Sequence, residues 1–276
     1  MAWARYSRMK HAIYLFFLLC CASFVRAQTP SRKGDLYFYW GYNRSFFSTS
    51  DIYFKGPGYA FTLYDVKATD RPSPFGKVYF RPSTISIPQY VYRLGYFLSN
   101  RWHLSIGLDH LKYVVTNGQT VEISGVIDKS ASLEYAGQYL SDTVVLAPEF
   151  VRFEHTDGLN IASLDVGYRL PILHFGKSRH CIALNFGAGG IWVATRTDSR
   201  IFGNGINNDF HISGFSAQGK TGLLYEYGKH LFALFDVRGG MASLPWIQLR
   251  NWEPYSAEQT LFFWEYYGAL GLRFHF

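Results

Sequence analysis

Cysteine is almost absent from this chain, and its scarcity excludes a fold held together by disulfide bonds. The 276 residues contain three cysteines, of which Cys20 and Cys21 lie in an N-terminal stretch with the features of a cleaved leader. Because removal of that stretch leaves Cys181 alone, the remaining chain can form no internal disulfide.

The leader combines a basic segment with a short apolar one. The basic segment ends at Lys10, fourteen mainly apolar residues follow at 12–25, and a cleavage position lies after Ala27. Fourteen apolar residues are too few to span a bilayer as a helix. We therefore expect residues 1–27 to be a signal peptide and residues 28–276 to be a single domain.

Long apolar runs and strong net charge are also absent after the leader. No run approaches the ~20 apolar residues of a membrane-spanning helix, so a membrane location would require strands. Four of the 27 Lys and Arg belong to the leader, which leaves 23 against 20 Asp and Glu. Such a small excess of cations does not indicate a nucleic-acid partner.

Motifs that hold metals or phosphate groups are missing as well. His and acidic residues do not recur at the spacing of metal ligands, and the sequence has neither a glycine-rich phosphate loop nor a Gly-x-Ser-x-Gly elbow. We therefore expect no metal and no cofactor.

Aromatic residues, by contrast, are abundant at 19% of the chain. In residues 261–276 the even positions are aromatic, aliphatic or glycine, whereas the odd positions include Glu265, Arg273 and His275. This period of two indicates a strand between lipid and a polar interior. A strand of this kind that ends on Phe276 resembles the closing strand of Gram-negative outer-membrane barrels, which implies recognition by the barrel-assembly machinery.

Seven further segments show the same alternation, and the total of eight predicted strands suits a small barrel. The predicted strands span residues 36–42, 87–98, 102–115, 160–170, 181–194, 213–227, 230–241 and 261–276. The connections alternate between short and long, as in barrels with short periplasmic turns and long extracellular loops. The sequence thus predicts an all-β, eight-stranded antiparallel transmembrane β-barrel in the outer membrane, with both termini in the periplasm.

A soluble calycin-like barrel is the alternative for eight alternating strands, but its apolar residues would face inward. Here the ionic residues share a face with Gly, Ser, Asn and Gln, and the opposite face is uniformly aliphatic and aromatic. A polar interior within an apolar wall is stable in lipid rather than in water, which favours the membrane protein.

The ionisable residues of the inward face balance in sign. The cations are Arg93, Arg169, Lys220, Arg238 and Arg273, and the anions are Asp109, Asp165, Glu226, Asp236 and Glu265. Because unpaired buried charges are costly, equal numbers predict salt bridges across a filled lumen. A gate or a proton path is the functional alternative to this structural filling.

With the lumen filled, function is expected in the long extracellular connections. The strings at 40–47, 54–72 and 153–160 resemble a family of small outer-membrane barrel proteins from Bacteroidetes-type bacteria. This resemblance implies the barrel fold and the outer-membrane location, and it attaches no activity. Tyr59–Val66 alternates and predicts an extension of the barrel wall above the membrane.

We expect a non-enzymatic protein whose aromatic loops bind a ligand or support the cell envelope. Its expected partners are outer-membrane lipid and lipopolysaccharide, which surround any barrel in this membrane.

His155 and Asp157 are candidate site residues in one of the long connections. They belong to His155-Thr156-Asp157-Gly158, where a loop returns to a strand. Gly158 permits a positive φ and Asp157 can hydrogen-bond to the local backbone, so a turn is favoured over a catalytic His–Asp pair.

His211 and Ser213 form the other candidate site, at the outer end of the sixth predicted strand. The alternation places both on the lipid-facing side, where a serine and a histidine could act as nucleophile and base on an acyl ester. The pattern resembles the His-x-Ser motif of the lipid A deacylase barrels, which implies Ser213 as nucleophile and His211 as base. Gly214 stands where that family usually has Asn, and the next acid, Glu226, lies on the inward face. An outer-leaflet lipid A acyl-ester hydrolase is therefore the alternative function.

Overall fold

The computed structural model describes residues 31–175, 180–205, 209–250 and 254–275. Regular structure within these ranges consists of strands and one short 3-10 turn, Lys77–Tyr79. None of the described residues belongs to a helix that is long and apolar enough to cross a membrane. The predicted signal segment and Phe276 lie outside the described residues.

In the described part of the chain, fourteen strands make up one antiparallel sheet. They are β1 (Leu36–Phe47), β2 (Ser50–Gly56), β3 (Tyr59–Val66), β4 (Ala68–Thr69), β5 (Tyr90–Phe97), β6 (Trp102–Val115), β7 (Thr120–Ile127), β8 (Gly137–Val145), β9 (Val151–Phe175), β10 (His180–Thr195), β11 (Asp198–Ile201), β12 (His211–Tyr227), β13 (Leu231–Gln248) and β14 (Ser256–Phe274).

Eight of these strands pair in a closed ring. The order of hydrogen-bonded neighbours is β1, β5, β6, β9, β10, β12, β13 and β14, and β14 pairs again with β1. The closing pair runs from Leu36 opposite Phe274 to Phe47 opposite Phe263. The prediction of an all-β fold is confirmed, and the ring strands are the eight segments in which the sequence alternates.

Short connections and both ends of the described chain meet at one end of the ring, which we call the turn end. Residues 98–101 join β5 to β6, and residues 228–230 join β12 to β13. Gly228 has φ of 63°, a conformation that glycine adopts without strain. His275 lies 2.6 Å from the carboxylate of Asp35, so the first and last described segments are in contact.

The other end of the ring carries further sheet where long loops were predicted. Residues 256–259 of β14 pair with β2, and β3, β7 and β8 follow in that order. We call β2, β3, β7 and β8 the appended sheet. Tyr59–Val66 is the strand β3 within it, so the predicted extension of the wall is continuous with the ring through β2 and β14.

Apolar side chains fill the space beneath the appended sheet, because its inner face and the neighbouring ends of the ring strands are apolar. The phenyl rings of Phe54 and Phe61 lie 5.4 Å apart, and those of Phe61 and Phe150 lie 5.7 Å apart. We call this cluster the apolar cap. Its members include Ile52, Phe54, Phe61, Leu111, Ile123, Phe150, Phe153, Ile161, Leu244 and Phe263.

Around the ring itself, the arrangement is reversed. Phe235 is 51% exposed and Leu270 is 73% exposed, whereas Arg93 and Glu265 are fully buried. Exposed aromatic residues border this apolar belt at both ends. Those at the turn end are Tyr96, Trp102, Phe175, Tyr225 and Tyr227, and those at the other end are Phe46, Trp192, Phe215, Trp246 and Trp264.

Candidate functional site

Two groups of charged residues lie inside the ring. In the first, which we call the central cluster, the guanidinium of Arg93 donates two hydrogen bonds to Asp109, at 2.7 and 3.0 Å, and one to Asp165 at 2.8 Å. Arg238 also pairs with Asp109, and it lies 3.3 Å from Glu265. Gly107 makes this packing possible, since a Cβ there would collide with Arg93 and with the Tyr92 carbonyl.

The central cluster continues through Asp236 and neighbouring polar groups. Lys220 lies 3.9 Å from Asp236, which also accepts hydrogen bonds of 2.9 Å from Asn185 and Tyr267. Arg238 donates a 2.9 Å hydrogen bond to the Tyr267 hydroxyl, so the two acidic centres are linked. Shared partners of this kind reduce the cost of burying each charge.

The second group, the end cluster, lies at the turn end of the ring. Arg169 and Arg273 both pair with Glu226. Arg32 lies 3.5 Å from Glu226, and Arg273 lies 3.5 Å from Asp35. Arg32 and Asp35 precede β1, outside any alternating segment, and this explains why no pattern in the sequence identified them.

All ten ionic residues predicted for the lumen are therefore buried, and each contacts a residue of opposite charge. With Arg32 and Asp35 added, the two clusters contain six cations and six anions. Equal numbers allow every buried charge to be neutralised by a neighbour.

Among the described residues, a small cavity lies inside the ring. A cavity of about 30 Å³ separates the two clusters, with Tyr37, His103, Lys220, Phe232 and Arg273 among its walls. That volume holds one or two water molecules. Beyond the central cluster, the side chains of the apolar cap, Phe263 among them, occupy the end of the ring.

The predicted turn at 155–158 is wrong, because these residues lie within the continuous strand β9. The pairing of β9 with β6 shifts register between Leu111 and Tyr113, so residues 156–158 form a bulge. The bulge separates the two candidates. His155 points into the core, whereas the Asp157 side chain is 63% exposed and lies 3.4 Å from Arg196.

The prediction that Ser213 faces lipid is also wrong, and a second bulge explains the error. The pairing of β10 with β12 shifts register between Val193 and Ala194, opposite Ser213. One extra residue reverses the side to which the following side chains point. Ser213 is consequently fully buried, while Ile212 is exposed.

His211 and Ser213 nevertheless make contact, because His211 Nε2 lies 3.1 Å from Ser213 Oγ. His211 Nε2 also accepts a 3.0 Å hydrogen bond from the Gln248 backbone, and Nδ1 lies 3.4 Å from the Asp209 carbonyl oxygen. Ser213 Oγ in turn contacts the hydroxyl of Thr195. A fully buried hydroxyl with these partners cannot reach an acyl ester in the lipid, so the geometry does not favour the hydrolase.

The same hydrogen-bond chain extends to His155. Thr197 Oγ1 donates a 3.4 Å hydrogen bond to Thr195 Oγ1 and lies 3.0 Å from His155 Nδ1. Burial lowers the pKa of His155 to about 3, because the charged imidazolium would lose its hydration. His155 is therefore neutral at pH 7. The sequence offers no signal for these hydrogen bonds, because their members come from three strands and from the connection that contains Thr197.

The distal end of the appended sheet contains a cleft of about 290 Å³ that sequence reasoning missed. Its walls include Tyr59 at the start of β3 and, from three connections, Ser130, Phe202 and Arg250. The guanidinium of Arg250 lies 4.1 Å from the ring centroid of Tyr255. Aromatic faces beside a cation can hold a small amphipathic ligand such as a sugar.

Metal ligands do not cluster in the described residues, where no three His, Cys, Asp or Glu side chains could share an ion. The described part of the chain therefore offers no metal centre to which a reaction could be assigned.

Comparison with known proteins gives no match to a family model or to a curated protein. Among solved structures, the outer membrane protein OprG from Pseudomonas aeruginosa aligns with a TM-score of 0.39 and 12% identity, over 89% of this chain and 98% of that one. The outer membrane protease OmpT from Escherichia coli aligns with a TM-score of 0.27 and 6% identity, over 91% and 99%. The toluene transporter TbuX from Ralstonia pickettii aligns with a TM-score of 0.18 and 10% identity, over 88% and 90%. All three TM-scores are below 0.5, so no property of this chain is inferred from them.

Proposed function

We propose that this protein is an integral outer-membrane barrel with a filled lumen, and that it binds its ligand outside the membrane rather than acting as an enzyme or a pore. The observation that carries the proposal is the inverted ring, with exposed residues such as Phe235 and Leu270 outside and Arg93 and Glu265 inside. An apolar belt with aromatic borders is suited to lipid, and its charged interior would be unstable as the core of a soluble protein.

The difference between the two ends of the ring supports one orientation of the protein in the membrane. Short connections and both ends of the described chain lie at the turn end, which we assign to the periplasm. The appended sheet then lies outside the cell. Assembly of such a ring requires the barrel-assembly machinery, and we propose β14, the strand that closes the ring, as the segment that this machinery recognises.

The filled interior supports a binding role over transport. Two salt-bridged clusters and the apolar cap occupy the ring along its length, and the 30 Å³ cavity does not provide a route for solutes. The distal cleft is large enough for a small ligand and is the place where we propose that binding occurs.

Membrane insertion is the first property to test. We expect the protein to fractionate with the outer membrane, to resist extraction at alkaline pH, and to migrate faster in gels when it is not boiled. Recovery from the soluble periplasmic fraction would contradict the proposal.

Conductance and ligand binding test the remaining two parts. Purified protein in planar bilayers should give no steady conductance above background, and a stable open channel would contradict the filled lumen. A panel of small sugars screened by ligand-observed NMR should give contacts that Tyr59→Ala weakens. A surface variant of the appended sheet, Thr62→Ala, serves as the matched control. Contacts that are equal in the two variants would exclude the cleft.

A further inference from the structure

Segment 70–89, which joins β4 to β5, exposes large apolar side chains. Phe75 is 82% exposed, Phe80 is 71% exposed and Ile87 is 51% exposed. Exposure of three such side chains to water is unfavourable, because each leaves a large apolar surface hydrated. A cluster of this kind on one short segment indicates a contact with something apolar.

The segment is held firmly against the ring wall, so the exposure does not arise from a loose loop. Tyr79 is buried, and its ring packs edge-on against Tyr42 at 4.8 Å. The Tyr42 hydroxyl donates a 2.7 Å hydrogen bond to the Tyr79 carbonyl, and the Tyr79 hydroxyl donates a 2.8 Å hydrogen bond to the Ser73 carbonyl. Arg44 adds a 3.0 Å hydrogen bond to the Tyr79 hydroxyl.

Both ends of the segment are also fixed. Asp70 accepts a 3.2 Å hydrogen bond from the Ser45 backbone and another from the side chain of Gln89. The first and last residues of the segment are thus joined, and the intervening chain forms a closed loop on the wall formed by β1 and β5.

This loop lies beside the outer edge of the apolar belt. Trp40 precedes Tyr42 by two residues on β1, so it points to the same side about 7 Å nearer the belt. Its indole stacks on Tyr90 at 4.7 Å and on Tyr92 at 5.9 Å. A bilayer that covers the belt therefore meets segment 70–89 at the level of the lipid headgroups.

Cations accompany the exposed apolar residues. Lys77 and Arg81 are exposed, and within the described residues neither forms an ion pair. Arg71 is paired with Glu154 at 2.9 Å. Asp70 is the only acidic residue of the segment, and its carboxylate is occupied by the hydrogen bonds that close the loop.

We propose that segment 70–89 binds a phosphorylated glycolipid of the outer leaflet. Phe75, Phe80 and Ile87 enter the boundary of the acyl chains, while Lys77 and Arg81 contact the headgroup phosphates. Apolar side chains interleaved with unpaired cations are the pattern by which proteins bind anionic lipid surfaces. This inference rests on the proposed membrane location, and it specifies which part of the wall recognises lipid and through which chemical group.

Lipid A binding by the purified full-length protein in nonionic detergent tests the proposal. Native mass spectrometry would follow the titration with bisphosphorylated lipid A and, in parallel, with the dephosphorylated lipid. The double variant Lys77→Ala/Arg81→Ala should raise the apparent Kd for the bisphosphorylated lipid about thirtyfold, since each of the two cations contributes on the order of 1 kcal/mol near an anionic surface. Its Kd for the dephosphorylated lipid should not change.

Two controls separate this effect from general charge and from free phosphate. Lys55→Ala/Lys129→Ala removes two exposed lysines of the appended sheet region away from the belt, and it should leave both Kd values unchanged. Millimolar inorganic phosphate should not displace lipid A. Displacement would instead identify a site for the free anion and overturn the assignment to lipid.

A third variant tests the apolar half of the site. Phe75→Ser/Phe80→Ser should weaken the binding of both lipids, because the substitutions remove apolar contact and keep the cations. Equal Kd values for the wild type and the Lys77→Ala/Arg81→Ala variant would overturn the inference while leaving the membrane location intact. Failure of the wild type to enter the outer membrane would remove both proposals.

Discussion

The ring interior and the apolar cap are built from the same strands, yet they are organised in opposite ways. In β14 the inward row changes from Leu261 and Phe263 in the cap to Glu265 in the ring, while the outward row changes from Glu258 to Trp264. The cap buries apolar side chains and exposes polar groups, as a protein in water does. The ring does the reverse. The period of two identifies a strand of the wall. Under the proposed membrane location, the position at which the two faces exchange character marks the boundary between lipid and water.

Removal of Asp109 should destabilise the ring, and we expect this to be the largest effect. Asp109→Ala leaves Arg93 and Arg238 without their shared carboxylate, and an uncompensated buried charge costs about 3–5 kcal/mol. We expect loss of the fast-migrating folded form in unboiled gels. The variant Asp142→Ala, which alters an exposed acid of β8, should fold normally. Wild-type stability of Asp109→Ala in urea would contradict the paired interior.

Truncation of Phe61 should destabilise the cap and leave the ring folded. Phe61→Ala removes a buried aromatic side chain from the centre of the cap, at a cost of about 3–5 kcal/mol to that region. Proteolysis should then cleave the appended sheet while the ring stays heat-modifiable. Tyr53→Ala, on the opposite face of the neighbouring strand β2, is the control. Loss of both regions together would show that the cap and the ring unfold as one unit.

Acid should act on the cap through His155. The pKa of this buried imidazole is lowered from 6.5 to about 3, so between these values the unfolded chain binds a proton that the folded chain does not. Stability should therefore fall as the pH drops from 6.5 towards 3 and flatten below that value. His155→Phe should reduce this slope, as measured by urea unfolding at a series of pH values. A slope identical to that of the wild type would exclude the neutral buried histidine.

Asp157→Ala should give the smallest effect. Its ion pair with Arg196 is solvent-exposed at 3.4 Å, and exposed pairs of this type contribute about 0–1 kcal/mol. We expect unfolding in urea to match the wild type. A large loss of stability would contradict the assignment of Asp157 to an exposed ion pair.

The strands of the ring could be predicted because each one shows the alternation within its own sequence. Alternation in Trp102–Val115 specifies both the strand and the face that bears Asp109, without knowledge of its neighbours. The appended sheet could be predicted only in part. Tyr59–Val66 alternates, but its partner β7 lies about 60 residues later, and the join of β2 to β14 spans most of the chain.

The predictions for the candidate sites were wrong at β-bulges. Ser213 lies at a bulge with one extra residue and His155 lies beside a bulge with two, and the composition of the sequence marks neither bulge. Arg32 and Asp35 join the end cluster from irregular chain, so periodicity has no bearing on them. The charge balance of the lumen was predictable because it depends on the faces of long strands, which these bulges do not interrupt.

The double pairing of β14 has a consequence for the time course of folding. Ile52 pairs with Gln259 and Leu36 pairs with Phe274, so contacts more than 200 positions apart complete both the ring and the appended sheet. Such distant contacts make folding slow, because the intervening chain must be ordered before they form. Until β14 is in place, β1 and β2 both have an open edge, which would require protection during export. Completion of both the ring and the appended sheet therefore depends on the pairing of β14.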